Sequence, residues 1–385
     1  SGNLKSEDCK PKDIGILKNL NKDLSKNSFL ELIDFYTQSD VPISLCLSGG
    51  LDSTMVYYAL KELNYYPEAF NIKQSENDPD YNSCLAIKNE SSKLNLNIID
   101  LSKVEIWNQE NFQNISKIFN GWIHLPNAFF LYELFKQASK YSKVIISGEG
   151  SDEILRGYNR FGTLNQVIDN KYFVNKKMGN NFDYWPKEKI GYLNEICLSN
   201  SFISREIVLK ICEELNLSNG IENRVKELKT IIARSKLENL NTIEMMQLCD
   251  INFYLPTMLK RQDKLSMHHS IECRVPLASP LFYWMNRFSH NKSKPYGKTK
   301  LKNLGKAMQI PNIILNRKKY GFPAINNSFS EFLSSETVQN KIKSNPLTSE
   351  IISLANISIA KDEKFNKVQL NDLYFSLASI AYNPS

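Results

Sequence analysis

Ser48-Gly49-Gly50-Leu51-Asp52-Ser53 follows an apolar run, residues 41–47, and opens a helix-like segment, 54–63. A glycine-rich turn between a buried strand and a helix leaves several backbone N–H groups unpaired and pointing one way. With the helix dipole behind it, such a nest binds anions. The two glycines let main chain approach a phosphate closely, and the hydroxyls of Ser48 and Ser53 add donors. Asp52 would repel phosphate unless a divalent cation sat between them. The combination reads as nucleotide plus magnesium.

A second group repeats the pattern. Ile145-Ile146-Ser147-Gly148-Glu149-Gly150-Ser151-Asp152-Glu153 is an apolar strand running into a polar, glycine-rich turn. Three carboxylates within five residues need cations or donors to hold them together. By themselves Ser151, Asp152 and Glu153 also suit the first turn of a helix, where acids and hydroxyls cap free N–H groups. Beside the Ser48 turn, Asp52 and Asp152 become two hard oxygen ligands of the kind magnesium takes when it bridges phosphates. Gly297-Lys298-Thr299 ends like a Walker loop, but Lys292 stands where that loop's first glycine belongs, so the pattern fails.

Positioning these groups requires strands and helices in alternation. The spacing predicts a helix over 29–36, strands over 41–47, near 69–72, near 96–101 and over 143–147, and helices over 53–63, 81–94 and 129–139. Strands alternating with helices imply an α/β fold with a doubly wound parallel sheet. Nucleotides bind such sheets beyond the carboxyl ends of the strands. Residues 1–26 are rich in Lys, Asn and Ser and read as a flexible arm, with 27–385 as one domain. Residues 162–240 read as a helical insertion with patches at 205–215 and 221–234, 244–267 as helical, and the last third as mostly α.

Composition narrows the class. With 385 residues, 42% hydrophobic and 11% aromatic, the chain suits a folded protein with one large core or two smaller ones. No run approaches a membrane span or a signal peptide. The absence of an initiator Met points to a processed or trimmed start. The seven cysteines (9, 46, 84, 197, 212, 249 and 273) are scattered without CxxC spacing, as expected of buried thiols in a reducing cytoplasm. The net charge of +7 is spread along the chain rather than gathered into a nucleic-acid patch.

Four motifs in order, SGGLDS, SGEGSDEILRGY, LPTMLKRQDKLSMHHSIECRVP and RKKYGFP, resemble the synthetase domain of the asparagine synthetase family, which includes the β-lactam synthetases. The likeness runs from about Asn27 to Pro323. It implies the pyrophosphatase-loop (adenine nucleotide alpha hydrolase-like) version of the α/β fold, with a helical C-terminal part. It also implies ATP and Mg2+, adenylation of a carboxylate, and attack by ammonia or an amine to give an amide, AMP and pyrophosphate. Carried over residue by residue, Ser48, Gly49, Gly50, Asp52 and Ser53 bind pyrophosphate, Gly148 and Gly150 join the nucleotide site, and Ile72 lines the adenine pocket. Asp52 and Asp152 hold the metal. Lys319 stabilises the transition state, and Lys298 is a second phosphate-facing lysine. Glu149 stands where asparagine synthetases have Glu and β-lactam cyclases have Tyr, which favours an external amine. By the resemblance Glu272 faces the acceptor, while a structural ion pair between Glu272 and Arg274 stands as an equal reading. Asp263, Met267 and Ser270 share a helix face, on which Met267 also reads as core.

Three departures shape the expectation. No glutaminase domain is expected ahead of the first strand, and Cys9 lies in the arm. Ammonia is therefore expected from solution or a separate glutaminase subunit, or another amine replaces it. Ser279 replaces an acidic residue near the acceptor pocket, which argues against aspartate as substrate. Arg156 replaces the first glycine of GGY and adds positive charge, which suits a larger or more anionic carboxylate, such as a sugar acid. An intramolecular cyclase and a catalytically silent nucleotide-binding subunit stand as alternatives. The expected partners are a small-molecule or sugar carboxylate, with no nucleic acid and no membrane, and a homodimer is left open.

Overall fold

A computed structural model describes residues 24–120, 123, 125–163, 193, 196–198, 219–235, 240–286, 296–317, 327–359 and 367–382. Lys319, Cys9, Cys212 and the helical patch expected at 205–215 lie outside these residues.

Val144, Ile145 and Ile146 show why a sheet forms at the centre. Successive strand residues face opposite ways. Val144 and Ile146 enter one apolar cluster and Ile145 another, so both faces of this strand are buried. Among the described residues the sheet has five strands: β1 (Ile43–Cys46), β2 (Glu68–Lys73), β3 (Asn95–Asp100), β4 (Val144–Ile146) and β5 (Glu272–Arg274). Their order is β3-β2-β1-β4-β5, and every neighbouring pair is parallel. The chain winds outward from β1 through β3 and then returns to the other side of β1 with β4. The reversal point lies between β1 and β4, where an open parallel sheet presents its binding crevice.

On one face pack α1 (Lys26–Tyr36), α2 (Leu51–Glu62) and α3 (Pro79–Glu90), contributing Phe29, Met55, Leu60 and Ile87 to the core. Later in the chain, α10 (Pro280–Asn286), α11 (Thr299–Ala307) and α12 (Asn312–Leu315) join them. On the opposite face are α4 (Gln109–Phe119), α5 (Ala128–Ala138) and the C-terminal helices, α13 (Asn327–Ser334) to α16 (Lys367–Ala381). The 162–240 region is described in part, including α7 (Asn219–Ser235), which packs with α8 (Thr242–Cys249) in a third cluster around Leu228 and Met246. The helix expected over 244–267 is interrupted. α8 passes through a π-helical turn, Asp250–Tyr254, into α9 (Leu255–His268). Single π turns are frequent at functional sites.

Candidate active site

The loop after β1 is organised by its own hydroxyls. The Ser48 and Ser53 oxygens lie 3.0 Å apart, the Ser48 N–H donates to Ser53 Oγ at 3.1 Å, and the Gly50 N–H donates to Ser48 Oγ at 3.3 Å. Gly49 has φ 73°, a left-handed conformation that glycine alone adopts without strain. A Cβ there would also lie 2.4 Å from the main-chain oxygen of Asp80. The loop is pressed onto the first turn of α3.

The loop after β4 packs against the first one backbone to backbone. A Cβ on Gly148 would lie 2.7 Å from the Ser53 nitrogen and 2.9 Å from the Asp52 carbonyl carbon. This contact sets the distance between α2, which carries Asp52 in its first turn, and α6 (Ser151–Leu155), which carries Asp152. Ser151 Oγ donates to Asp52 Oδ1 at 2.7 Å and ties the two turns together.

Lys298 joins the carboxylates. Its Nζ lies 2.5 Å from Asp52 Oδ2 and 2.7 Å from Asp152 Oδ1, with only 7% of the side chain exposed. Burial works against its charge, but the two carboxylates outweigh burial and hold its pKa above the ordinary lysine range. Lys298 precedes α11 in a left-handed conformation, φ 58°, after Gly297 at φ 94°. The failed Walker pattern thus delivers its lysine from a different element. Because one ammonium touches both aspartates, one cation can span them, and the donor set is the hard-oxygen kind that suits magnesium. Among the described residues no group of three or more His, Cys, Asp or Glu could hold a metal. Two carboxylates would supply only part of such a cation's ligand set.

Glu149 belongs to the same loop. Arg261 Nη2 donates to its Oε2 at 2.9 Å and Gln262 Nε2 to the same oxygen at 2.8 Å. Arg261 is 2% exposed and its Nη1 also donates to Asn127 Oδ1 at 2.8 Å. These holders were missed in the sequence, though a signal existed. Met258, Arg261 and Leu265 share the buried stripe of α9, and a charged residue in such a stripe needs a buried partner.

Other expected site residues fall less simply. Ile72 is buried in the carboxyl half of β2, paired with Ile99. Glu272 lies at the amino end of β5, opposite Val144, while the two glycine loops leave the carboxyl ends. Its side chain is 60% exposed and pairs with Arg274 at 2.7 Å. Arg274 in turn donates to the carbonyls of Tyr36 and Gln38, beside the end of α1. The structure does not bring Glu272 into the cluster of Asp52, Asp152, Lys298 and Glu149. Met267 is 57% exposed, so it is not core.

Two departures from the motifs have local explanations. Ser279 Oγ accepts from the Phe282 N–H at 3.1 Å and donates to Pro276 O at 2.6 Å, capping α10. Serine and aspartate are equally good caps, so the exchange is accounted for without reference to an acceptor. Arg156 is 3% exposed, and its Nε donates to Gln247 Oε1 at 2.9 Å. Burial lowers its pKa to about 10. Its charge is placed against α8 within the packing.

Behind Asp152 lies a second buried group. Glu153, 1% exposed, accepts from the Tyr158 hydroxyl at 2.5 Å, and Asp250 in the π turn pairs with Arg160 at 2.5 Å. Burial, then the neighbouring Asp152 charge, raises Glu153 to about 7, against an ordinary 4.5. A raised folded-state value makes its contribution to stability complete below pH 4.5 and lost as pH rises through about 7. Wild type should therefore lose roughly 3 kcal/mol across that window relative to Glu153→Gln. Chemical denaturation of both proteins at pH 4.5, 6 and 8 measures it, and parallel curves would refute it.

A family model described as asparagine synthase matches residues 31–365. The chain is 27% identical over 322 residues to asparagine synthetase [glutamine-hydrolyzing] 1 of Bacillus subtilis (strain 168), a match covering 77% of this chain and 49% of that protein. The chain thus spans about half the length of this relative.

Proposed function

Because this chain belongs to the asparagine synthase family, a family of ATP-dependent ligases, we propose that it adenylates a carboxylate and passes the acyl group to ammonia or an amine, releasing AMP and pyrophosphate. One observation carries the reading: Asp52 and Asp152, from the ends of neighbouring strands, converge on a single buried ammonium. That arrangement answers to a triphosphate and its counter-ion.

In this reading the Ser48–Ser53 turn receives the leaving pyrophosphate on its N–H groups and hydroxyls. Asp52 and Asp152 would hold Mg2+, which when bound would supply positive charge to the phosphates. Lys298 and Lys319 meet charge that grows as the phosphorus becomes pentacoordinate, so their help is greatest in the transition state. Ile72 and the backbone at Gly148 and Gly150 complete the nucleotide site. Glu149 has its Oε2 engaged by Arg261 and Gln262. Among the described residues its Oε1 takes no protein donor. That oxygen is the natural acceptor for an N–H of the attacking amine, and a Glu here in place of the cyclases' Tyr favours an external nitrogen nucleophile over ring closure. The nitrogen comes as ammonia, free or from a glutaminase, or as another amine. The carboxylate is a small molecule or a sugar acid.

Pyrophosphate release measured over a panel of amino-acid and sugar carboxylates, with ammonium as nucleophile, tests the proposal. A productive carboxylate should give pyrophosphate and AMP in equal amounts. Asp52→Ala and Lys319→Ala should each lower the rate on the order of a hundredfold or more. Turnover that survives both substitutions would eliminate this mechanism.

A further inference from the structure

Arg317, just after α12, is outside the residues assigned so far, yet it reaches the centre of the proposed phosphate site. Its Nη1 donates to the main-chain oxygen of Gly49 at 3.0 Å, across 268 residues of sequence. Its Nη2 pairs with the carboxylate of Asp80, in the first turn of α3. Both side chains are largely buried, at 12% and 17% exposure. The Asp80 main-chain oxygen is also the atom against which Gly49 packs. Arg317, Asp80 and Gly49 therefore form one contact in which each partner restricts the other two.

The consequence follows from peptide geometry. A trans peptide is planar, with its C=O and the next N–H on opposite sides. Whatever fixes the Gly49 oxygen also fixes the direction of the Gly50 N–H. Arg317 draws the oxygen toward α3. The Gly50 N–H then points the other way, toward Ser48 Oγ, where the Ser48 and Ser53 hydroxyls meet. A free glycine pair would sample many orientations of this peptide, and an anion site gains from having its donors already aimed.

We infer that Arg317 is a positioning residue: its fork, anchored on Asp80, holds the Gly49–Gly50 peptide with its N–H on Ser48 Oγ, so that this amide and the Ser48 hydroxyl are set together toward the bound pyrophosphate group. The inference rests on the phosphate reading of this loop given above. Arginine is suited to the task because its planar guanidinium reaches a carbonyl and a carboxylate at fixed geometry. Lysine presents a single point of donation.

The experiment compares wild type, Arg317→Ala and Arg317→Lys in the full chain by calorimetric binding of Mg-ATP and of inorganic pyrophosphate, with Tm measured alongside. Affinity for both probes should fall roughly tenfold or more in Arg317→Ala, the size expected for loss of a charge-assisted hydrogen bond. Arg317→Lys should recover only part of it. Low millimolar guanidinium should restore binding to Arg317→Ala and leave wild type unchanged, which a purely structural brace would not produce. If wild type binds both probes and Arg317→Lys and Arg317→Ala bind them equally well, or if guanidinium restores nothing, the role assigned to Arg317 is overturned. If wild type binds neither probe, the phosphate reading itself fails. Should Arg317→Ala not fold, Arg317→Lys carries the comparison.

Discussion

Gly157→Ala should leave the fold nearly intact and abolish most pyrophosphate release. A Cβ at this position would lie 2.1 Å from Asp152 Oδ1 and 2.2 Å from Lys298 Cε. Both are atoms of side chains, not of main chain, so the molecule can yield by swinging them aside. What it surrenders is the pairing of Lys298 with Asp152. Loss of one positioned charge at a site of this kind costs on the order of a hundredfold in rate. Gly148→Ala is the instructive contrast. There the added carbon meets the main chain of Asp52 and Ser53, so the two loops must part and stability falls together with rate. Unfolding curves and pyrophosphate assays on the pair separate the two cases. Equal losses of stability in both variants would contradict this account.

Lys298→Met should be the most damaging single change to a side chain in the cluster. Methionine nearly fills the space but removes the ammonium that lies between Asp52 and Asp152. The carboxylates are 21% and 17% exposed, so water screens the repulsion only in part. Removing one member of a largely buried ionic group costs about 3 kcal/mol. Catalysis should fall by a hundredfold or more as well. A divalent cation can take over the lost charge, so millimolar magnesium should raise the Tm of Lys298→Met more than that of wild type. Adding Asp52→Asn should recover stability, because the two changes act on one contact and are not additive. If magnesium raises both Tm values equally, the two aspartates do not form a shared cation seat.

The sequence was most informative where a short segment determines its own structure. The strand-to-helix turns at Ser48 and Ser147 each combine an apolar run, glycines and capping residues within a few positions, and both occur at the carboxyl ends of neighbouring strands, β1 and β4. Elements that depend on distant partners were not legible. β5 has three residues, too few for a periodic pattern, and exists because β4 offers it an edge. α4 was not expected, although its Phe112, Ile115 and Phe119 follow helical spacing. The polar residues between them hid a stripe that the C-terminal helices cover. The π turn at Asp250 leaves the apolar spacing on either side intact, so 244–267 read as one helix. Arg156 and Ser279 were legible as departures from the motifs but not in their effects, because their partners, Gln247 and the Phe282 N–H, are set by tertiary packing. The Arg317 contact likewise joins segments far apart in the chain.

The bridge from Lys298 to Asp52 spans 246 residues, and this has a kinetic consequence. The β1 loop and its hydroxyl contacts close over a handful of residues, whereas the lysine can arrive only after most of the chain has collapsed around the sheet. Closing so long a loop carries an entropic toll that short-range contacts escape, and assembly slows as contacts become more distant in sequence. During refolding from denaturant, helical signal should therefore return before nucleotide affinity does, and the catalytic cluster should mature as one of the closing events of assembly.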